Sequence, residues 1–229
     1  MKTTIFLIVL FYFNAIEGQN KWDKPNYKQI KKDCSNIKSN FYYDSLFARY
    51  LRADTNINLD EKRHLYYGFQ FTKKYSPYGE GGHFNDSLRS VMKLNELTSL
   101  DYRNVSIYCD SLLVGDPMNL KYLSMQANVF RKMGDSSRYS ITKFKLNSVI
   151  DAILSSGDGE TEKSAYYVIA VAHEYSILKI LGYEYAGKQS LIGTNDLLKI
   201  KENENNLKGI YFDVTSSLTF MENLFKKNK

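Results

Sequence analysis

The sequence predicts an α+β fold, with a helical N-terminal two-thirds packed on a small, mostly antiparallel C-terminal sheet. Three observations predict it. Apolar residues recur at helical spacing between positions 41 and 154; the run 166–172 is continuously apolar and β-branched in its middle; and residues 198–201 and 210–215 alternate with period two. The chain has 229 residues, 43% hydrophobic and 24% charged, enough to bury a core. That composition excludes wholesale disorder, collagen-like repeats and a multi-span membrane protein.

Residues 1–18 read as a signal peptide. Lys2 precedes a nine-residue apolar stretch, 5–13, too short for a bilayer core of about 30 Å, and Gly18 suits a signal peptidase cutting before Gln19. No second hydrophobic span occurs in the sequence, so no transmembrane span is expected. Residues 19–229 then form a single α+β domain, its helical part at about 26–156 and its sheet-rich part at about 164–216.

Within the helical part, 26–38 starts with a short helix, and Phe41, Leu46, Phe47, Tyr50 and Leu51 mark a second. Asn58 followed by Glu61 is a capping box opening a helix over 59–71. Proline and three glycines in 76–82 break the chain, and a further helix runs over 86–98. From Asp101 the pattern resembles one tetratricopeptide repeat. Val105, Tyr108, Leu112 and Leu113 face inward on its first helix, 116–119 forms the turn, and Leu123, Ala127 and Phe130 face inward on its second. Gly134 closes the frame. A helix over 137–154 departs from the repeat, since Tyr139 stands where a small residue belongs; one repeat does not make a peptide-binding solenoid, so the pair reads as a packing unit.

In the sheet-rich part, Gly157 caps the preceding helix, 166–172 fits a buried strand, with a buried helix the alternative that periodicity leaves open, and a helix over 174–181 is stopped by Gly182. The alternating segments 198–201 and 210–215 pair as a hairpin across the polar loop 202–208. The tail 220–229 reads as a frayed helix.

Two cysteines remain after the leader, Cys34 and Cys109. Export permits a disulfide closing a loop of about 75 residues, contributing about 2 to 4 kcal/mol, while two buried free thiols fit the apolar helical positions equally well. The net charge of +6 comes from 31 cations against 25 carboxylates, and lysine outnumbers arginine 24 to 7, with 19 asparagines and 19 tyrosines. An AT-rich genome produces that bias without a partner, and the arginine concentration of nucleic-acid readers is missing, so no nucleic acid is expected.

Motifs of catalysis fail on inspection. His173-Glu174 lacks the second histidine of a zinc protease, because Ile177 stands there. Asp158, Glu160 and Glu162 begin like a calcium loop, but Lys163 replaces its glycine and Ile169 its closing glutamate. Ser-x-x-Lys occurs at 35–38, 140–143 and 176–179, about as often as chance gives, with no Lys-Thr-Gly. No metal site, cofactor or catalytic residue is assigned. The candidate binding residues are Tyr66, Tyr67 and Tyr78 in the aromatic stretch 66–78, whose rings could stack on sugar or peptide or fill the core, and His173 with Glu174 where strand passes to helix.

Residues 65–68 (Leu-Tyr-Tyr-Gly), 153–159, His173-Glu174-Tyr175 and 209–214, with the exported N-terminus, resemble an exported Bacteroidetes-type family, domain of unknown function 4919, over about residues 24–216. The resemblance implies one continuous domain and bacterial export, periplasmic or secreted, so Asn85-Asp86-Ser87 and Asn104-Val105-Ser106 are not glycosylated. It implies no catalytic residue. The function expected is that of a non-enzymatic protein-interaction or scaffold domain with a protein partner in the envelope. The alternatives are a hydrolase-like enzyme with a site near His173 and Glu174, and a glycan- or peptide-binding module using the tyrosines of 66–78.

Overall fold

In a computed structural model, which describes residues 22–78 and 83–227, five helices begin where the sequence supplies a side-chain acceptor for their free N–H groups. Asn26 caps α1 (Tyr27–Ser35), and α2 (Tyr43–Leu51) follows. Asn58 and Glu61 form the reciprocal capping box that opens α3 (Leu59–Gly68), continued by a 3-10 turn, Phe69–Phe71. After α4 (His83–Val91), a second capping box, Thr98 with Asp101, opens α5 (Ser99–Gly115). Asn119 and Asp135 cap α6 (Leu120–Lys132) and α7 (Ser136–Leu154). The expected signal peptide, residues 79–82 of the glycine-rich break and the last two residues of the tail lie outside the described residues.

These helices stack in series: α4 on α5, α5 on α6, α6 on α7, α7 on α3, and α3 on α1 and α2. The sheet follows, with β1 (Tyr166–Tyr167), then α8 (Val171–Ile180), β2 (Tyr185–Ile192), β3 (Asn195–Ile200), β4 (Gly209–Asp213) and a closing α9 (Thr215–Lys227). Its order is β1-β4-β3-β2, with β3 antiparallel to both β2 and β4 and β1 parallel to β4. The fold is α+β, as the sequence predicts. Leu198 of β3 pairs with Ile210 of β4, which is the expected hairpin. Among the described residues no helix is long and apolar enough to cross a membrane.

One apolar cluster joins the halves, running from Ile30, Leu46 and Tyr66 of the helical layer to Leu198, Ile210 and Phe212 of the sheet. Buried tyrosine hydroxyls cross the same boundary: Tyr67 donates to Tyr167 O at 3.3 Å, and Tyr75 to Ile169 O at 2.5 Å. The turn after α7 is a second tie. Asp158 N and Gly159 N both donate to Ser164 O, and Tyr211 N of β4 donates to Gly159 O at 2.8 Å. Gly157 lets this happen, since a Cβ there would lie 2.1 Å from Ser164 O.

Several boundaries are corrected. The helix expected over 86–98 is α4, which ends at Val91, because Thr98 belongs to the next helix as its cap. Gly157 is not a helix cap; Ser155 ends α7, and Gly157 serves close backbone approach. The strand expected over 166–172 is only two residues long; 168–170 form a buried irregular link, and Val171 and Ala172 open α8. β2 has no counterpart among the expected elements, and the tail helix begins at Thr215 rather than Phe220.

The cysteine bridge is also corrected: both thiols are free and buried. Cys34 packs in the main cluster, its Sγ donating to His64 O at 3.4 Å, whereas Cys109 sits in a separate cluster with Leu88, Val105 and Val129 between α4, α5 and α6. Two sulfurs in different clusters cannot meet the short Cα separation a disulfide requires. Burial pushes both thiols up to about 12, leaving little thiolate at neutral pH. Native protein at pH 8 should therefore take up no iodoacetamide, while denaturant exposes two alkylation sites in intact-mass spectra; a protein lacking two free thiols after unfolding would contradict this packing.

Candidate functional site: the cleft between α6 and α8

Two helices from different halves of the chain, α6 and α8, approach each other through small side chains and leave a cleft of about 1310 Å³. Ser124 and Ala127 line it from α6, and Ala170, Ala172 and Ser176 from the α8 side. These residues are too short to fill the space that larger side chains would close. Rings stand around it: Tyr78 after α3, Tyr122 on α6, Tyr139 on α7 and Tyr175 on α8. Tyr78 is 54% exposed and Tyr175 40%. Lys121, Arg131 and Lys179 supply positive charge, and Asp116 is the one carboxylate among the described residues of the lining, its Oδ2 accepting from Asn119 Nδ2 at 2.9 Å.

α8 sorts its side chains by helical period. Tyr175, Ser176 and Lys179 face the cleft, whereas His173, Glu174, Ile177 and Leu178 face the core. His173 is 1% exposed, and its Nδ1 lies 2.8 Å from Tyr66 Oη, which also accepts from Ile169 N at 3.2 Å. Nδ1 and the hydroxyl share one hydrogen bond, and among the described residues the buried Nε2 has no partner. Burial lowers the His173 pKa below its ordinary value, so the ring is neutral; Asp116 opposes this weakly.

Glu174 is fully buried, and neither carboxyl oxygen has a hydrogen-bond partner. Burial, with the charge of Asp196 on β3 adding to it, pushes its pKa up to about 9. Asp196 is itself raised by burial, although Gln189 Nε2 donates to its Oδ2 at 2.6 Å. Gln189 in turn accepts from Tyr175 Oη at 2.6 Å. The Asp196 carboxylate and the cleft are thus linked through Gln189 and Tyr175.

The structure does not bring the candidate residues together as one site. Tyr66 and Tyr67 are 1% and 0% exposed, so the expectation that their rings meet a ligand is corrected: their hydroxyls serve the backbone of 152–169. Tyr78 alone of the three reaches the cleft. His173 and Glu174 lie behind the cleft wall, not in an opening, which removes the access that a hydrolase centred on them requires. His64 stacks on Phe41 with ring centroids 3.8 Å apart. Among the described residues no group of three His, Cys, Asp or Glu side chains is placed to hold a metal ion.

Sequence reading missed the cleft itself. Its signal is the alignment of Lys121, Ser124, Asn128 and Arg131 on one face of α6, small or polar where a packed helix would be apolar, but only the position of α8 shows that this face is concave.

The family model described as Domain of unknown function (DUF4919) matches residues 28–223. That span includes every element from α1 to β4, and the chain belongs to this family. Neither the curated proteins nor the solved structures contain a match to it.

Glu174 gives a pH test. An ordinary glutamate titrates at 4.5 and this one at about 9, so the folded state keeps a proton that the unfolded chain releases. Stability therefore falls as pH rises from about 4.5 to about 9, by about 3 kcal/mol at pH 7. Urea unfolding between pH 5 and 8 should show this decline, and Glu174→Gln should flatten it and gain stability at pH 8; equal slopes in both proteins would contradict a buried neutral carboxyl.

Proposed function

We propose that the protein is an exported bacterial interaction domain, periplasmic or secreted once residues 1–18 are removed, and that the α6–α8 cleft receives a segment of a partner protein in the envelope. The observation that carries this reading is the cleft: exposed tyrosines and aliphatic stems around a floor of small residues make a surface that another chain can bury. Tyrosine and arginine are the residue types on which such contacts concentrate their binding energy. The likeness of 101–135 to a tetratricopeptide hairpin supports it as well, since α6, the second helix of that pair, forms one wall.

An enzymatic reading draws less support. The acid and base it would use, Glu174 and His173, are sealed from solvent, and among the described residues the cleft is faced by hydroxyls, cations and the single carboxylate of Asp116, which is hydrogen-bonded to Asn119.

A photo-crosslinking residue at Met125, inside the cleft, should capture a discrete protein in the native cells, and one at Ile37, 76% exposed on the opposite part of the sequence, should not. Ser124→Trp, which fills the cleft from an exposed position, should abolish the Met125 adduct while leaving the circular dichroism unchanged. Equal labelling from both positions, or an adduct indifferent to Ser124→Trp, would overturn the cleft as the binding surface.

A further inference from the structure

The charge around the cleft departs from that of the chain. Lysine is abundant everywhere, and the whole sequence carries 31 cations to 25 carboxylates. Among the described residues of the lining the count is three to one: Lys121, Arg131 and Lys179 against Asp116. The three cations are exposed, and among the described residues none of them makes an ion pair. Among the described residues five Lys or Arg side chains are ion-paired, namely Arg49, Lys62, Arg63, Arg138 and Lys201, so an unpaired cation is common on this surface and what distinguishes the cleft is that three of them share one concave lining. The nearest polar partners in the cleft are neutral, with Arg131 donating to Asn128 Oδ1 at 3.0 Å and Lys121 lying 5.7 Å from the Tyr122 ring centroid.

Shape limits the occupant further. At about 1310 Å³ the cleft exceeds the roughly 300 to 1,000 Å³ of ordinary small-molecule sites. It follows α6 from Leu120 to Arg131, about 16 Å at 1.5 Å per residue. An extended chain covers that distance with about five residues at 3.3 Å each. Small side chains on the floor admit a backbone, the tyrosines offer rings to its apolar side chains, and the cations are spaced along its length.

Resting on the reading of the cleft as a protein-binding surface, we infer that its occupant is an acidic segment of about five residues, in which Asp or Glu alternates with apolar or aromatic side chains. The cations then find carboxylates, and the apolar residues between them cover the small-residue floor.

The test uses two fluorescein-labelled hexapeptide pools, Glu-X-Glu-X-Glu-X and Gln-X-Gln-X-Gln-X, with X an equal mixture of Leu, Val and Tyr, followed by anisotropy with the purified protein. The Glu pool should bind at least tenfold more tightly than the Gln pool and weaken at least tenfold between 50 and 300 mM salt. Reversing two exposed charges, Lys121→Glu with Lys179→Glu, should cost the Glu pool at least tenfold while circular dichroism is unchanged; should that variant misfold, Lys121→Gln with Lys179→Gln should cost about threefold. Ser124→Trp should abolish binding. Equal binding of the two pools would overturn the acidic occupant and leave the cleft reading standing. Binding that survives Ser124→Trp overturns it too, by placing the contact on another basic surface. No binding of either pool overturns the inference, with the Met125 adduct still deciding whether the cleft binds protein. Self-association lost on Ser124→Trp would make a second copy the occupant and equally overturn it.

Discussion

A single stretch of backbone, residues 167–170, has to leave the sheet and enter a helix inside the core, and the whole arrangement depends on how its peptide groups are satisfied. Val168 N still reaches Asp213 O at 3.1 Å, but beyond it the ladder ends. Ile169 is 1% exposed and has no strand to pair with. Its N–H is met by Tyr66 Oη and its carbonyl by Tyr75 Oη, while Tyr167 N donates to Ser156 Oγ. An unpaired peptide group in such a place costs about 1 to 3 kcal/mol, so these hydroxyls decide whether the chain can turn here at all.

What the tyrosines fix in turn fixes α8. Its direction sets Tyr175, Ser176 and Lys179 opposite α6 and puts His173 and Glu174 in the core. Tyr66 ties the same helix a second time through His173 Nδ1. The cleft is therefore a consequence of the junction: an anchored backbone sets α8 against α6, and small residues such as Ser124, Ala127, Ala172 and Ser176 leave space between the larger side chains of the lining. Glu174 costs stability in this arrangement, and a cost of about 3 kcal/mol is large against the 5 to 15 kcal/mol typical of a domain. The apolar cluster spanning both halves and the tie through Gly157 and Gly159 offset it.

Much of the fold was legible because it is encoded locally. The Asn58 and Glu61 capping box names its helix start unaided, and the period-two segments meeting as β3 and β4 announce themselves by alternation. Other elements are hidden for identifiable reasons. β2 is an edge strand with seven of its eight residues exposed, so its sequence carries no alternation to read. Thr98 and Asp101 form a capping box one turn before the point where a repeat register places the helix. At 166–172 a continuous apolar run fits a buried strand or a buried helix, and it is instead a two-residue strand, a buried irregular link over 168–170 and the first two residues of α8. The site was less legible than the fold. Tyr66, Tyr67 and Tyr78 look alike in sequence, yet two seal the core and one faces the cleft, a distinction made by partners 85 to 107 positions away for the first two.

The tether at Ile169 is tested most directly by amide hydrogen exchange combined with urea unfolding of Tyr66→Phe, which removes one oxygen and keeps the ring. The hydroxyl's role predicts a loss of about 1 to 3 kcal/mol, with the Ile169 amide and the first turn of α8 losing protection more than the strands β3 and β4. Unchanged stability with Ile169 still protected would contradict it, because the junction would then stand without the bond on which the placing of α8 and its cleft depends.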